Sequence, residues 1–244
     1  MIVKAVVSYD GTLFYGWQVQ GEKRTVQGEI EKALFSLTGK NIRITGSGRT
    51  DTGVHALGQV FSFEIDEKIE AKRLYKAINA YLPEDIKVLS TEKAKDDFNA
   101  RFSCKKKTYE YRFYLSETEI PVKERYALKI FDVDIEKMQE CVKLFKGYHD
   151  FKAFSSSGRT VKSTERTIFD SSLKQFESDL IFTVTGDGFL YNMVRIMAGT
   201  LLQVGMGKLP KENVLLSYET GDRNLLGKTL NAKGLTLKSV EYKD

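Results

Sequence analysis

Strand-like and helix-like patterns follow one another in the same order twice along this chain, and that duplication is the tightest constraint on its fold. IVKAVVSY (2–9) is rich in β-branched residues and reads as a strand. In TVQGEIEKALFSLTG (25–39), Val26, Ile30, Ala33, Leu34 and Leu37 fall on one helical face, with Thr25 placed to cap it. NIRITG (41–46) and LGQVFSFEID (57–66) alternate as half-buried strands do, the second through Phe61, Phe63 and Ile65. EAKRLYKAINAYL (70–82) is helical again, with Leu74, Ala77, Ile78, Tyr81 and Leu82 facing inward and Pro83 after its end. DIKVLSTEKA (85–94) adds a further strand. The order is β-α-β-β-α-β, the split βαβ or ferredoxin-like unit.

The second half repeats it. KKKTYEYRFYL (105–115) reads as a strand, and DIEKMQECVKLFKGY (134–148) as a helix with Ile135, Met138, Val142 and Phe145 in register. STERTIFDSSLKQFES (163–178) and DLIFTVTGD (179–187) read as a hairpin. FLYNMVRIMAGTLLQVG (189–205) is a helix, a shorter one falls near 210–218, and LTLKSVEYK (235–243) closes the sheet. The expected fold is α+β: two ferredoxin-like domains of similar design, 1–104 and 105–244.

Composition narrows the function less than the fold. With 244 residues, 41% apolar and 29% charged, the chain has enough apolar sequence for a core. A net charge of +5 is compatible with a polyanionic partner without proving one. Cys104 and Cys141 form no pairing pattern, so a reducing cytoplasm is expected. No secretory leader is read at the start, and no apolar run has the length of a membrane span. His55 and His149 are the only histidines, and no Cys/His spacing suggests a metal. No G-x-S-x-G elbow, phosphate loop or dinucleotide fingerprint occurs. The reading is of a chain with no metal and no cofactor, so any catalysis would rest on a carboxylate, a tyrosine and an arginine.

Three stretches could carry such chemistry. GSGRTDTGVHA (46–56) joins two strands and holds Asp51. Asp and Gly are ordinary turn residues for backbone reasons, yet the loop is long for a hairpin, and long loops on rigid scaffolds carry sites. The helix 189–205 is apolar on nearly every side and therefore buried, with Arg195 in its middle. A buried guanidinium calls for a carboxylate or a bound phosphate, with Asp187 nearby and Asp51 from the other half as candidates, unless it snorkels to the surface. In KKKTYEYRFY, Lys107, Tyr109, Tyr111 and Phe113 share one strand face. Basic residues interleaved with aromatics suit RNA, although a Tyr/Phe core face with a charged end is the commoner case. Trp17 reads as a packing residue.

In order and spacing, YDGTLFYGWQVQ, RTVQGEIEKAL, GSGRTDTGVHALGQV, FNARFSCKKKTYEYRFY and GFLYNMVRIMAGTLLQVG resemble the tRNA pseudouridine synthase A family across nearly the whole chain. The resemblance implies two similar domains meeting around a central catalytic cleft and a homodimer as the working unit. It also implies conversion of uridine to pseudouridine in the anticodon stem-loop of tRNA, around positions 38–40 of the tRNA. Asp51 matches the family's nucleophile, Arg195 an arginine paired with it, and Tyr109 the tyrosine against the target uracil. Arg49 matches an arginine that helps hold the flipped nucleotide, and Gly234-Leu235 a Gly-Leu motif. Lys107, beside Tyr109, is placed for the RNA backbone. Asn231 and Asn99 depart from the family, which commonly has proline and histidine there.

The rival reading is a non-catalytic RNA-binding protein built from RRM-like domains, because the ferredoxin-like unit also underlies those modules. Its basic-aromatic K/R-G-F/Y signature is absent, and it gives Arg195 no purpose.

Overall fold

In the computed structural model, which describes residues 1–66, 70–156 and 162–242, the first β-branched run forms strand β1 (Ile2–Tyr9). Alternate residues Val3, Ala5, Val7 and Tyr9 are buried, as the pleat requires. The chain divides into two compact units, Met1–Lys105 with Thr236–Asp244, and Lys106–Leu235. The last strand is thus grouped with the first unit, where the sequence reading of 1–104 and 105–244 has it in the second.

In the first unit, β1 lies between two antiparallel neighbours, β3 (His55–Glu64) and β4 (Ile86–Lys93). The short β2 (Thr45–Gly46) also pairs with β3, and β10 (Leu235–Tyr242) runs parallel to it, Thr236 opposite His55. The sheet is therefore mixed. Helix α1 (Val26–Thr38) starts where the Thr25 hydroxyl accepts the Gly28 N–H and stops at Gly39, whose φ of 70° suits glycine. Val26, Ile30, Ala33 and Leu34 form its buried face. The second helical stretch narrows to α2 (Leu74–Asn79), which buries Leu74 and Ile78. The Asn79 side chain bonds both backbone groups of Val88 at 2.8 Å and so pins this helix to β4. Two local expectations fail here. Tyr81 is 52% exposed rather than inward. Residues 41–44 are not a strand, because Arg43 and the Ile44 N–H both turn to Glu31 on α1.

In the second unit, β5 (Cys104–Leu115) pairs antiparallel with β9 (Asp179–Gly186), β9 with β8 (Glu165–Phe176), and β8 with β7 (Gly147–Asp150). β6 (Leu128–Ile130) runs parallel to β5, after the short helix α3 (Pro121–Glu124). Helices α4 (Ile135–Val142), α5 (Met193–Gly205) and α6 (Asn213–Thr220) complete it. The helix read over 134–148 ends early because Gly147, at φ 126°, opens β7 instead. The helix read from 189 begins at Met193, after Asn192 in the left-handed region at φ 64°. β6, β7 and α3 lie outside the sequence reading, and Lys243, at the end of the last strand read, lies outside the described residues.

The architecture is mixed α/β. In the first unit its centre is Trp17, 3% exposed and flanked by the rings of Tyr9 and Phe61. Gly46 leaves room for the indole: a Cβ there would lie 2.5 Å from it. Gly46→Ala is expected to destabilise the fold by roughly 1–3 kcal/mol through overpacking. Thermal unfolding followed by the fluorescence of this sole tryptophan measures it; an unchanged midpoint would contradict the tight fit.

Candidate active site

The loop from β2 to β3 is held at every step. The Ser47 N–H donates to the Val60 carbonyl at 2.8 Å, and the Gln59 amide bonds both the Ser47 hydroxyl (2.5 Å) and the Gly48 carbonyl (3.1 Å). Thr50 shares a hydrogen bond with the Tyr9 hydroxyl (2.7 Å), a phenol that burial pushes well above its ordinary range. Its carbonyl accepts the Trp17 N–H at 3.0 Å. Asp51 then opens a tight turn, its carbonyl accepting the Val54 N–H at 3.1 Å, with Gly53 at φ 78° in the position where a type II turn needs glycine. Asp51 is half-buried, and Arg49 is exposed.

A second loop, residues 10–24, lies against this one backbone to backbone. Gly16 has φ 82°, and a Cβ on it would come within 2.7 Å of the Thr50 carbonyl oxygen and 3.2 Å of the Asp51 carbonyl carbon. A Cβ on Gly11 would lie 2.0 Å from the Val54 carbonyl oxygen. The Gly53 N–H reaches the Phe14 carbonyl at 3.3 Å. Arg24 fixes the far end of the loop. Its guanidinium grips Asp85 in two bonds of 2.7 and 2.8 Å and lies 4.1 Å from the centre of the Phe14 ring. This fork geometry combines charge with orientation.

In the second unit, Tyr109 stands on β5 opposite Val184, 8% exposed, with its ring edge-on to Phe189 at 5.1 Å. Lys107, on the same face, is half-buried. Tyr111 is fully buried, and its hydroxyl donates to the Asn231 carbonyl at 2.8 Å. Burial pushes that phenol up, and the positive charge of Arg195 pulls it partly back. Arg195 itself donates to the Leu230 carbonyl (2.6 Å) and to the Asn192 side chain (2.7 Å). Asn192 in turn reaches the Ser156 hydroxyl at 2.9 Å. Leu235 is buried at the start of β10, and Gly234 before it clears the Tyr111 ring, which a Cβ would meet at 2.8 Å.

Asp51 and Arg49 thus belong to the first unit, and Lys107, Tyr109, Arg195 and Leu235 to the second. Arg195 is half-buried, not enclosed as an all-apolar helix suggests, because neutral acceptors at Leu230 and Asn192 draw it to the helix edge. Asp187, one of its candidate anions, is exposed and accepts the Thr167 N–H instead. The Tyr/Phe face of β5 is core, with Lys105 and Lys106 exposed. Sequence reading missed Gly16, Arg24 and Asp85, and placed Tyr111 only on the face of its strand. Only Gly16, between two aromatics in FYGWQ, carries a local hint.

A mixed α/β chain that carries a carboxylate on a fixed glycine-rich turn and has a half-buried arginine–tyrosine cluster has the parts of a general acid–base or nucleophilic enzyme. The sequence pattern of the family described as tRNA pseudouridine synthase matches residues 5–103 and 141–243. A protein of Streptococcus equi subsp. equi called tRNA pseudouridine synthase A is 45% identical over 245 residues, 99% of this chain and 98% of its own. Proteins of the same name from Latilactobacillus sakei and Acetivibrio thermocellus are 43% and 42% identical, each over 98% of this chain. The crystal structure of the archaeal box H/ACA sRNP Nop10–Cbf5 complex is a more distant likeness, with 13% identity, a TM-score of 0.39, and 82% of this chain and 43% of that chain covered. The chain belongs to the tRNA pseudouridine synthase family.

Gly16→Ala tests the two-loop contact. It places a side chain on a left-handed backbone and against a carbonyl that cannot swing away. A destabilisation of about 1–3 kcal/mol is expected in chemical denaturation. Gly21→Ala is the control, since its φ of 53° carries the same backbone strain but its Cβ would meet nothing within 4 Å. Equal losses in the two variants would remove the packing argument.

Proposed function

We propose that this protein isomerises uridine to pseudouridine in the anticodon stem-loop of tRNA, around positions 38–40, with Asp51 as nucleophile. The observation that carries the reading is the Asp51 turn, fixed on both sides by backbone contacts inside GRTDTGVHA. Membership of the family supports the reaction class, an isomerisation. Atoms balance without a cosubstrate: the N1–C1′ bond breaks, the uracil turns, a C5–C1′ bond forms, and the proton leaving C5 is matched by one gained at N1.

A carboxylate can hold the sugar or the base while the uracil turns, as carboxylates do at anomeric carbons. For that it must be ionised, and the Arg195 guanidinium is proposed as its partner, favouring the charged form and fixing its direction. A stacked target base must leave the stack to react. Tyr109 offers a π-face to receive it and a hydroxyl that can take part in moving the C5 proton, while Leu235 supplies an apolar wall. Arg49 and Lys107 hold the displaced nucleotide and its phosphates, a contribution that weakens with salt. The remaining parts of the reading are two ferredoxin-like domains around one cleft, a homodimer and a cytoplasmic setting. The β1-α1-β2-β3-α2-β4 order of the first unit supports the first of these. Among the described residues, no helix is long and apolar enough to cross a membrane.

Asp51→Asn is expected to abolish pseudouridine formation in unmodified tRNA while tRNA binding stays close to wild type. Full activity in that variant would sink the mechanism, and binding without turnover in the wild-type protein would favour the RNA-binding alternative. Arg195→Leu is expected to remove activity while costing only about 1 kcal/mol of stability, since two hydrogen bonds to neutral acceptors are lost as a partly desolvated charge is relieved. Measuring turnover beside the unfolding midpoint separates these effects. Survival of activity would contradict the pairing with Asp51.

A further inference from the structure

We propose that Arg101 and Phe102 form a stacking contact for an unpaired base of the RNA substrate, a site separate from the residues assigned above; the proposal rests on the tRNA reading. Phe102 is 77% exposed, which burial of apolar surface cannot explain. A single exposed phenylalanine on a loose loop would mean little, but this one stands on a fully anchored knuckle. The Asn99 side chain accepts the N–H groups of Arg101 (3.0 Å) and Phe102 (3.2 Å). The Ser103 N–H closes the turn on the Asn99 carbonyl at 2.9 Å, and the Ser103 hydroxyl receives the Asn99 N–H at 3.2 Å.

Ala100, beneath them, is fully buried and held from both sides. Its N–H donates to the Ser62 hydroxyl at 3.1 Å, and its carbonyl accepts from the Tyr242 hydroxyl at 2.8 Å. Both anchors lead to the Asp51 loop. Ser62 lies opposite Thr45 in the β2–β3 pairing, immediately before GSGRTD. The Tyr242 side chain also lies near Ser47, the second residue of that loop. The knuckle therefore stands on the same footing as the candidate nucleophile.

Its chemistry selects the ligand. The Arg101 guanidinium lies 5.6 Å from the centre of the Phe102 ring, giving a flat apolar face edged by a cation. Lys105, also exposed, follows on the same segment. A splayed base meets a π-face and its phosphate meets a cation, which is how unpaired RNA is held with little regard to sequence. Ordering costs little, because the backbone of the knuckle is already fixed.

The test compares Phe102→Ala, Phe102→Leu and Phe102→Trp in the full-length protein. Filter binding of unmodified tRNA is measured beside pseudouridine formation and thermal melting. Stacking predicts that the Ala and Leu variants bind about tenfold more weakly and show a raised KM with kcat retained, while the Trp variant binds like wild type. Leucine keeps apolar bulk without a π-face, so wild-type binding by Phe102→Leu overturns the proposal, as does wild-type binding by Phe102→Ala. A purely structural role would lower the melting temperature and leave binding by the folded fraction unchanged, which also overturns it. Wild-type protein that binds tRNA without turnover refutes the isomerase reading, while the binding comparison still decides the stacking contact.

Discussion

Two loops of the first unit touch backbone to backbone, and the candidate chemistry depends on that contact. Where Gly11 and Gly16 face Thr50, Asp51 and Val54 there is no room for a side chain. Hydrogen bonds from Trp17 and Gly53 cross the seam. A carboxylate on a free glycine-rich hairpin would sample many directions. Here the turn carrying Asp51 is wedged between β3 and residues 14–17, and those residues are tied to the start of α1 through Val26 and Gln27. Arg24 and Asp85 close the far side with a bidentate pair that also shields Phe14. Rigidity at the acid comes from packing several residues away from it.

The second unit uses a different device. The successive carbonyls of Leu230 and Asn231 collect the Arg195 guanidinium and the Tyr111 phenol. A half-buried arginine held by neutral oxygens keeps its charge uncancelled by them. That leaves its field available to act on a neighbouring phenol or a carboxylate. Asn192, in a left-handed conformation at the helix start, is the third point of this frame, which gives its uncommon backbone position a purpose.

Elements coded locally were legible in the sequence. The Thr25 cap, the period of α1, the alternation of β1 and the hairpin of β8 and β9 each depend on neighbouring residues, and each lies where its pattern puts it. The Asp51 loop was legible too, because GSGRTDTGVHA holds its own turn residues. What could not be read depends on distant partners. Arg24 finds Asp85 far along the chain, and the acceptors of Arg195 are backbone carbonyls, which have no signature in residue type. Residues 41–44 alternate correctly, yet Glu31 captures the groups a ladder would need. Phe102 looks like core in a sequence, and only its exposure separates it from Phe98, whose ring packs on Tyr242.

β10 has a consequence for how the molecule is assembled. The first unit is discontinuous: residues 106–235 are made between β4 and the strand that lies parallel to β3. The second unit is one unbroken stretch, complete in sequence before most of β10 is made. So although the first unit begins the chain, it is the second that can finish folding first on the ribosome. Until β10 arrives, His55 and Ala56 lack their parallel partner, and Ala100 lacks the tyrosine that holds it. The loop bearing Asp51 therefore acquires its full support only as the last part of the fold is completed.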